Sequence, residues 1–243
     1  MIFSVHGFLG LGSDWDSVFS PDIPRYSYDF FRPSWSENET PLGLNELASQ
    51  LNDEAKKFQL SRVLVGYSWG GRLALHALLQ APEIWSAAII ISSHPGLTNQ
   101  LEREKRVEAD RVWANRFRTE EWGSLLEAWN SQSVLKNTGT SLQRREFDFS
   151  RQALAHVLEF CSLGKQEDLR PQLKTLSVPI LWISGDSDAK FREFPAQMAQ
   201  LNPLFQKRVI PHAGHRVPWD QPEKFREAVQ FFLENNVALI ERN

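Results

Sequence analysis

This chain of 243 residues has a single cysteine, Cys161, which excludes an internal disulfide and fits a reducing, cytoplasmic setting. It has no excess of positive charge: 27 Lys and Arg stand against 30 Asp and Glu, and no basic stripe offers a surface to nucleic acid. It has no apolar run long enough for a bilayer. The first apolar stretch is short, broken by glycine and preceded by no cationic residue, so neither a signal peptide nor a membrane span is expected. Internal repeats and low-complexity tracts are also lacking. Tyrosine is scarce, at three, whereas tryptophan numbers nine and phenylalanine sixteen, which implies large apolar surfaces in a core or a pocket.

What is present is a recurrence of short apolar runs with helical stretches between them. Ile2 to Val5, Arg25 to Asp29, Val63 to Val65, Ala87 to Ser92, Val178 to Ser184 and Lys207 to Ile210 read as strands. Helices are expected near 44–58, 72–80 and 222–235, the last with Phe225, Val229, Phe232 and Leu233 on one face. Mostly apolar strands alternating with helices imply a parallel sheet of about six strands with helices on both faces, an α/β architecture. Between Ser92 and Ser177 the pattern changes to charged, helically periodic stretches over 99–118, 120–130 and 142–163. The expected organisation is therefore a core of 1–92 and 178–243 with a helical lid, 93–177, inserted after the fourth strand.

The sharpest signal is Gly66-Tyr67-Ser68-Trp69-Gly70-Gly71, between the strand Val63-Leu64-Val65 and a helix from Arg72. A strand, a one-residue corner bearing a hydroxyl and a helix form a nucleophile elbow, whose flanking positions are too crowded for side chains. Ser68 would project over the positive end of the helix, and the Trp69 N–H would be free to donate to an oxyanion. An isolated serine is inert at neutral pH, so an acid and a histidine must follow it. One strand breaks into Gly185-Asp186-Ser187-Asp188, and the next ends in Pro211-His212-Ala213-Gly214-His215. Loops leaving the carboxyl ends of neighbouring parallel strands converge on one rim. Asp188 and His215 are the expected partners, with Asp186 capping its turn and His215 preferred to His212 for its place after the loop glycine. The turn His6-Gly7-Phe8-Leu9-Gly10 after the first strand would supply the second oxyanion donor, the Phe8 N–H, with His6 organising the loop. Arg72 lies on the first turn of the elbow helix, where a cation opposes the helix dipole, so a purely structural role is disfavoured.

The elbow with Arg72 behind it, the segment Ser93-His94-Pro95-Gly96-Leu97, the arginine-rich helix that follows and Gly185-x-x-Asp188-x-Lys190-Phe191 resemble the α/β-hydrolase-fold lyases of menaquinone biosynthesis, the 2-succinyl-6-hydroxy-2,4-cyclohexadiene-1-carboxylate synthases. The resemblance runs from the His6 turn to His215. It implies elimination of pyruvate from an enolpyruvyl cyclohexene polycarboxylate, with no acyl-enzyme, no cofactor and no metal. Ser68, activated by His215 and Asp188, would abstract a carbon-bound proton while the Phe8 and Trp69 N–H groups hold developing charge. Arg72, Arg106 and Arg151 match the family's anion clamps, and Tyr67 and Trp129 match pocket positions. A small polycarboxylate needs several guanidinium forks, whereas an esterase of neutral acyl chains would gain nothing by burying them.

Helical phase leaves Arg103 or Arg145 as alternatives to Arg106 and Arg151, and Trp113 or Trp122 as alternatives to Trp129. His94 either contacts substrate or holds its loop. The segment Asp29-Phe30-Phe31-Arg32-Pro33-Ser34-Trp35 departs from the glycine-rich loop common in this fold, and Arg32 would add a cation there. The chain starts at the strand before the oxyanion turn, so the two leading antiparallel strands of larger relatives are expected to be absent and the sheet all-parallel. A monomer or weak oligomer is expected. The competing readings are a hydrolase of a small carboxylated ester or carbon–carbon bond, which the same triad would serve, and a non-catalytic small-molecule receptor, which would have no need of triad and oxyanion turn together.

Overall fold

Alternation along each strand decides how the molecule is layered. In the computed structural model, which describes residues 1–31, 42–136 and 142–237, six strands form one sheet: β1 (Ile2–Val5), β2 (Arg25–Tyr28), β3 (Val63–Tyr67), β4 (Ala87–Ile91), β5 (Ile180–Gly185) and β6 (Phe205–Ile210). Their order is β2-β1-β3-β4-β5-β6 and every pairing is parallel. The sequence-based expectation of six parallel strands is met.

Odd and even positions feed two separate cores. Phe3, Val5, Leu64, Ala88, Ile90, Ile180 and Trp182 pack on one side, against α1 (Leu44–Lys56) and α2 (Trp69–Gln80). Ile2, Val63, Val65, Ile89, Ile91, Leu181 and Ile183 pack on the other, beneath Trp15 and Val18 of the loop after β1. With both faces covered the central strands read as unbroken apolar runs, which is why they were visible in the sequence.

Between β4 and β5 the chain forms α3 (Gln100–Thr119), α4 (Trp122–Asn130), α5 (Arg151–Phe160) and the short α6 (Arg170–Leu173). The periodic stretch 142–163 is not one helix. A single turn spans Glu146–Asp148, and α5 begins only at Arg151, where Ser150 Oγ accepts the Ala153 N–H at 3.2 Å. The Ser150 N–H is itself spent on Phe31 O, so a tertiary contact fixes where the helix starts. After β5 come α7 (Phe194–Leu201), α8 (Val217–Asp220) and α9 (Pro222–Asn236). Phe225, Val229 and Phe232 of α9 close the second core. No helix among the described residues is long and apolar enough to cross a membrane. Arg32, with the rest of 32–35, lies outside the described residues.

Candidate active site

The carboxyl ends of the parallel strands open onto one cavity of about 280 Å³. Gly7 to Gly10 after β1, Ser68 after β3, Ser92 after β4, Lys190 after β5 and His215 after β6 all line it. This is the rim where a doubly wound sheet gathers loops from different strands.

The corner at Ser68 is as sharp as its sequence implied. Ser68 has φ 54° and ψ −112°, a backbone that L side chains rarely adopt. A Cβ on Gly66 would stand 2.6 Å from Gly70 O and 2.7 Å from Gly71 Cα, so strand and helix could not meet this closely with any other residue there. A Cβ on Gly70 would be 2.3 Å from His6 O, which brings the elbow against the end of β1 as well. The strained conformation is fixed by the Ser68 N–H donating to Ile91 O at 2.8 Å and by Ser93 Oγ donating to Ser68 O at 2.9 Å.

His215 Nδ1 lies 2.7 Å from Asp188 Oδ2, and His215 Nε2 lies 3.0 Å from Ser68 Oγ. A carboxylate only accepts, so Nδ1 carries the proton and Nε2 is left to accept the serine hydroxyl. Asp188 and His215 are both buried, at 3% and 4% exposure. Their loops are pressed together by Asp186 N–H donating to Ile210 O and Ser187 N–H donating to Ala213 O. Asp186 is exposed and accepts the His212 N–H at 2.9 Å, a turn-capping role, and His212 is also exposed.

The turn after β1 folds through the Gly10 N–H donating to Gly7 O, with Leu9 at φ 56°. Neither the Phe8 N–H nor the Trp69 N–H has a partner among the described residues, and both residues line the cavity beside Ser68. His6 is buried behind this turn. Its Nδ1 faces Gly7 O at 2.8 Å and its Nε2 accepts the Phe30 N–H at 3.2 Å, so both nitrogens hold backbone.

Charge in the cavity is arranged unevenly. Arg72 is buried and lines it, donating to Gln166 Oε1 at 3.1 Å and to Cys161 O at 2.6 Å, with no carboxylate partner among the described residues. Burial, and after it the nearby charge of Arg106, pulls its pKa down to about 10. Arg106 also lines the cavity, held by Asp110. Tyr67 presents its ring 5.5 Å from that of His215, its ionisation is pushed up by burial, and its hydroxyl has no partner among the described residues. Trp129 lines the cavity together with Trp113, their rings edge to face at 4.9 Å, and Phe8 packs on Trp129 at 4.7 Å. Trp122 is buried elsewhere, its indole N–H donating to Arg144 O. His94 also lines the cavity. Its Nδ1 accepts the Gly96 N–H at 3.0 Å, so the ring is neutral with its proton on Nε2. Burial, and then the charge of Lys190, lowers its pKa to about 3.

Arg151 is not brought to the cavity. Its guanidinium donates to Phe117 O, Glu120 O and Glu146, and lies over the Trp122 ring, so it stitches α5 to the end of α3. Its place among the anion clamps was implied by the family resemblance alone, and here its contacts are taken up within the helical segment. Arg145 pairs with Asp148 in solvent, and Arg103 donates to Gly164 O. Three cations that sequence reasoning left without a role do line the cavity: Lys190, Arg144 and Arg216. Lys190, two residues past Asp188, has no hydrogen bond or ion pair among the described residues, and the surrounding protein and Arg106 hold its ammonium below the usual lysine range. Its place on the loop of the triad acid was the available signal. Arg144 donates both terminal nitrogens to Asp14, at 2.9 and 2.6 Å, joining the helical segment to the loop after β1. Among the described residues no group of three or more metal-ligating side chains is arranged to hold a metal ion.

Comparison with known proteins gives the same outline. The alpha/beta hydrolase family profile matches residues 2–228. A 2-succinyl-6-hydroxy-2,4-cyclohexadiene-1-carboxylate synthase of Serratia proteamaculans (strain 568) is 32% identical over 239 residues, covering 95% of this chain and 92% of that protein. The structure of MenH from S. aureus superposes with a TM-score of 0.88 at 22% identity, covering 97% and 93% of the two chains. A thermophilic esterase from Thermogutta terrifontis superposes with a TM-score of 0.75 at 23% identity, covering 96% and 89%. These two structures establish a likeness of fold.

Proposed function

The chain belongs to the 2-succinyl-6-hydroxy-2,4-cyclohexadiene-1-carboxylate synthases within the alpha/beta hydrolase family, and from that membership we propose that it eliminates pyruvate from 2-succinyl-5-enolpyruvyl-6-hydroxy-3-cyclohexene-1-carboxylate through Ser68, His215 and Asp188. It is a lyase of menaquinone biosynthesis. The observation that carries the site assignment is Arg72, a buried guanidinium without a carboxylate partner among the described residues, in the same cavity as a serine hydrogen-bonded to histidine. A buried cation left uncompensated is costly unless an anion completes it.

In this reading His215 Nε2 takes the Ser68 proton as Ser68 Oγ removes a carbon-bound proton from the substrate ring. The electron pair of that C–H bond moves into the ring and the carbon–oxygen bond to the enolpyruvyl group breaks. The enolate that leaves takes a proton to become pyruvate, and the proton held by the Ser68–His215 pair restores the balance. Asp188 fixes the His215 tautomer and stabilises the imidazolium. The Phe8 and Trp69 N–H groups hold the charge that develops on a substrate oxygen, where each donor is worth about 10²–10³ in rate. Arg72, Arg106 and Lys190 bind substrate carboxylates, and Tyr67, His94, Trp113 and Trp129 shape the pocket around the ring. The helical segment 93–177 acts as a lid over the strand ends. The test is to supply the purified protein with the enolpyruvyl substrate and follow pyruvate release. Binding without turnover would reject the lyase assignment for this chain.

A further inference from the structure

One turn of chain touches both Arg72 and the carboxylate that holds Arg106. Where α5 ends, Cys161 O and Gln166 Oε1 accept from Arg72, and between them Ser162 Oγ donates to Asp110 Oδ2 at 2.7 Å while accepting the Gly164 N–H at 3.1 Å. Gly164 lets this turn rest directly on α3, because a Cβ there would stand 2.2 Å from Arg103 O and 2.7 Å from Val107 Cγ2. Asp110 is 5% exposed and accepts Arg106 Nε on both carboxylate oxygens, at 2.9 and 2.8 Å. A carboxylate facing an arginine commonly takes the two terminal nitrogens as a fork. Here it takes Nε alone, and Nη1 and Nη2 have no partner among the described residues.

We propose that Asp110 is a positioning residue for Arg106. Held by Ser162, it grips Nε and aims the two terminal nitrogens at a substrate carboxylate, at a spacing from Arg72 set by the turn 161–166. The inference rests on the reading above that Arg106 binds substrate. A free arginine side chain loses much rotamer freedom when it engages a ligand, and a side chain already anchored at Nε has lost most of it beforehand. The plainer account, an ion pair four residues apart that only steadies α3 and neutralises Arg106, makes the opposite forecast. Removing the negative charge would then make the cavity more cationic and bind a polycarboxylate more tightly.

The experiment is steady-state pyruvate release from the enolpyruvyl substrate by the wild type, Asp110→Asn, Ser162→Ala, Arg106→Ala and the Asp110→Asn/Arg106→Ala double variant, each checked for folding by thermal melting. Asp110→Asn is expected to raise KM about tenfold, the effect of one weakened charged contact, with kcat within about threefold of wild type. Ser162→Ala should move KM in the same direction by less. The double variant should be no worse than Arg106→Ala alone, since Asp110 acts only through Arg106. An unchanged or lower KM in Asp110→Asn, or full additivity in the double variant, overturns the proposal. If Asp110→Asn does not fold, Ser162→Ala decides, and an unaltered KM there overturns it. Arg106→Ala with normal KM would reject the substrate-binding reading and this inference with it. A raised KM in Arg106→Ala beside a normal one in Asp110→Asn would reject the inference alone.

Discussion

Gly185 and Ala213 lie so close that a Cβ on Gly185 would stand 2.1 Å from the Ala213 carbonyl oxygen and 2.4 Å from that of Gly214. Through this contact the loop carrying Asp188 and the loop carrying His215 rest on each other's backbone. Gly185→Ala must therefore part the two loops, because neither obstacle is a side chain that can turn away. Misplacing catalytic groups by about 1 Å costs about 10² in rate, and kcat for pyruvate release is expected to fall by about that factor. Thermal melting of the same variant should show a folded protein of reduced stability.

Ser68 is held at φ 54° and ψ −112°, a conformation that costs an ordinary residue about 1–3 kcal/mol. Glycine tolerates it, so Ser68→Gly should melt about 2–4 °C above the wild type while losing turnover by several orders of magnitude. Ser68→Ala should lose the same turnover without the gain, and calorimetry should show it binding substrate nearly as well as the wild type. A Ser68→Gly protein that melts lower than the wild type would count against stored strain at the elbow.

Arg72→Ala should weaken binding and rate together, since it removes a buried charged donor from the cavity that holds Ser68. Charge-assisted contacts of about 1.5–3 kcal/mol translate into about 10- to 100-fold in kcat/KM. Initial-rate kinetics are the measurement, and unaltered constants would remove Arg72 from the binding site.

An activated aryl ester separates the lyase from a hydrolase that uses the same three residues. Stopped-flow mixing should give slow turnover and no burst of released phenol. A stoichiometric burst, with mass spectrometry finding the acyl group on Ser68, would favour acyl transfer.

Acid should destabilise the fold before the carboxylates titrate. His94 and His76 have pKa values lowered to about 3 and about 4, both chiefly by burial, whereas an unfolded histidine titrates near 6.5. A depressed folded pKa means that the unfolded chain takes up protons the native state refuses. The stability from these residues is thus present above about pH 6.5 and lost as pH falls toward their folded values, at up to about 1.4 kcal/mol per pH unit for the well-buried His94. Urea midpoints at pH 7.5 and 5.0 test this. The midpoint should drop at pH 5.0, and drop less in His94→Gln.

The strands and the triad were legible because their signals are local. Val63 to Val65 and Ala87 to Ile91 are buried on both faces and need apolar residues throughout, while Gly66 and Gly70 sit where backbone leaves no room for a side chain. Choosing Asp188 over Asp186 needed only the distance past the strand end. Arg151 was not legible, since its surroundings depend on where α5 begins, and Ser150 fixes that by bonding to Phe31 far away in the chain. Trp113 and Trp129 could not be ranked from composition because both line the cavity. Lys190 and Arg144 reach it from irregular backbone, where periodicity says nothing about direction.

Arg72, Arg106 and Lys190 each lower, after the larger effect of burial, the proton affinity of at least one of their fellow cations or of His94, so positive charge is gathered in the cavity. A polyanion would offset that charge. The field of these groups reaches into solvent by about a Debye length, roughly 8 Å at physiological ionic strength, so substrate capture should slow as salt is added. Sulfate or phosphate in a buffer would occupy the same ground. Such anions should raise the melting temperature and inhibit competitively at the same concentrations, making the choice of buffer part of any measurement on this protein.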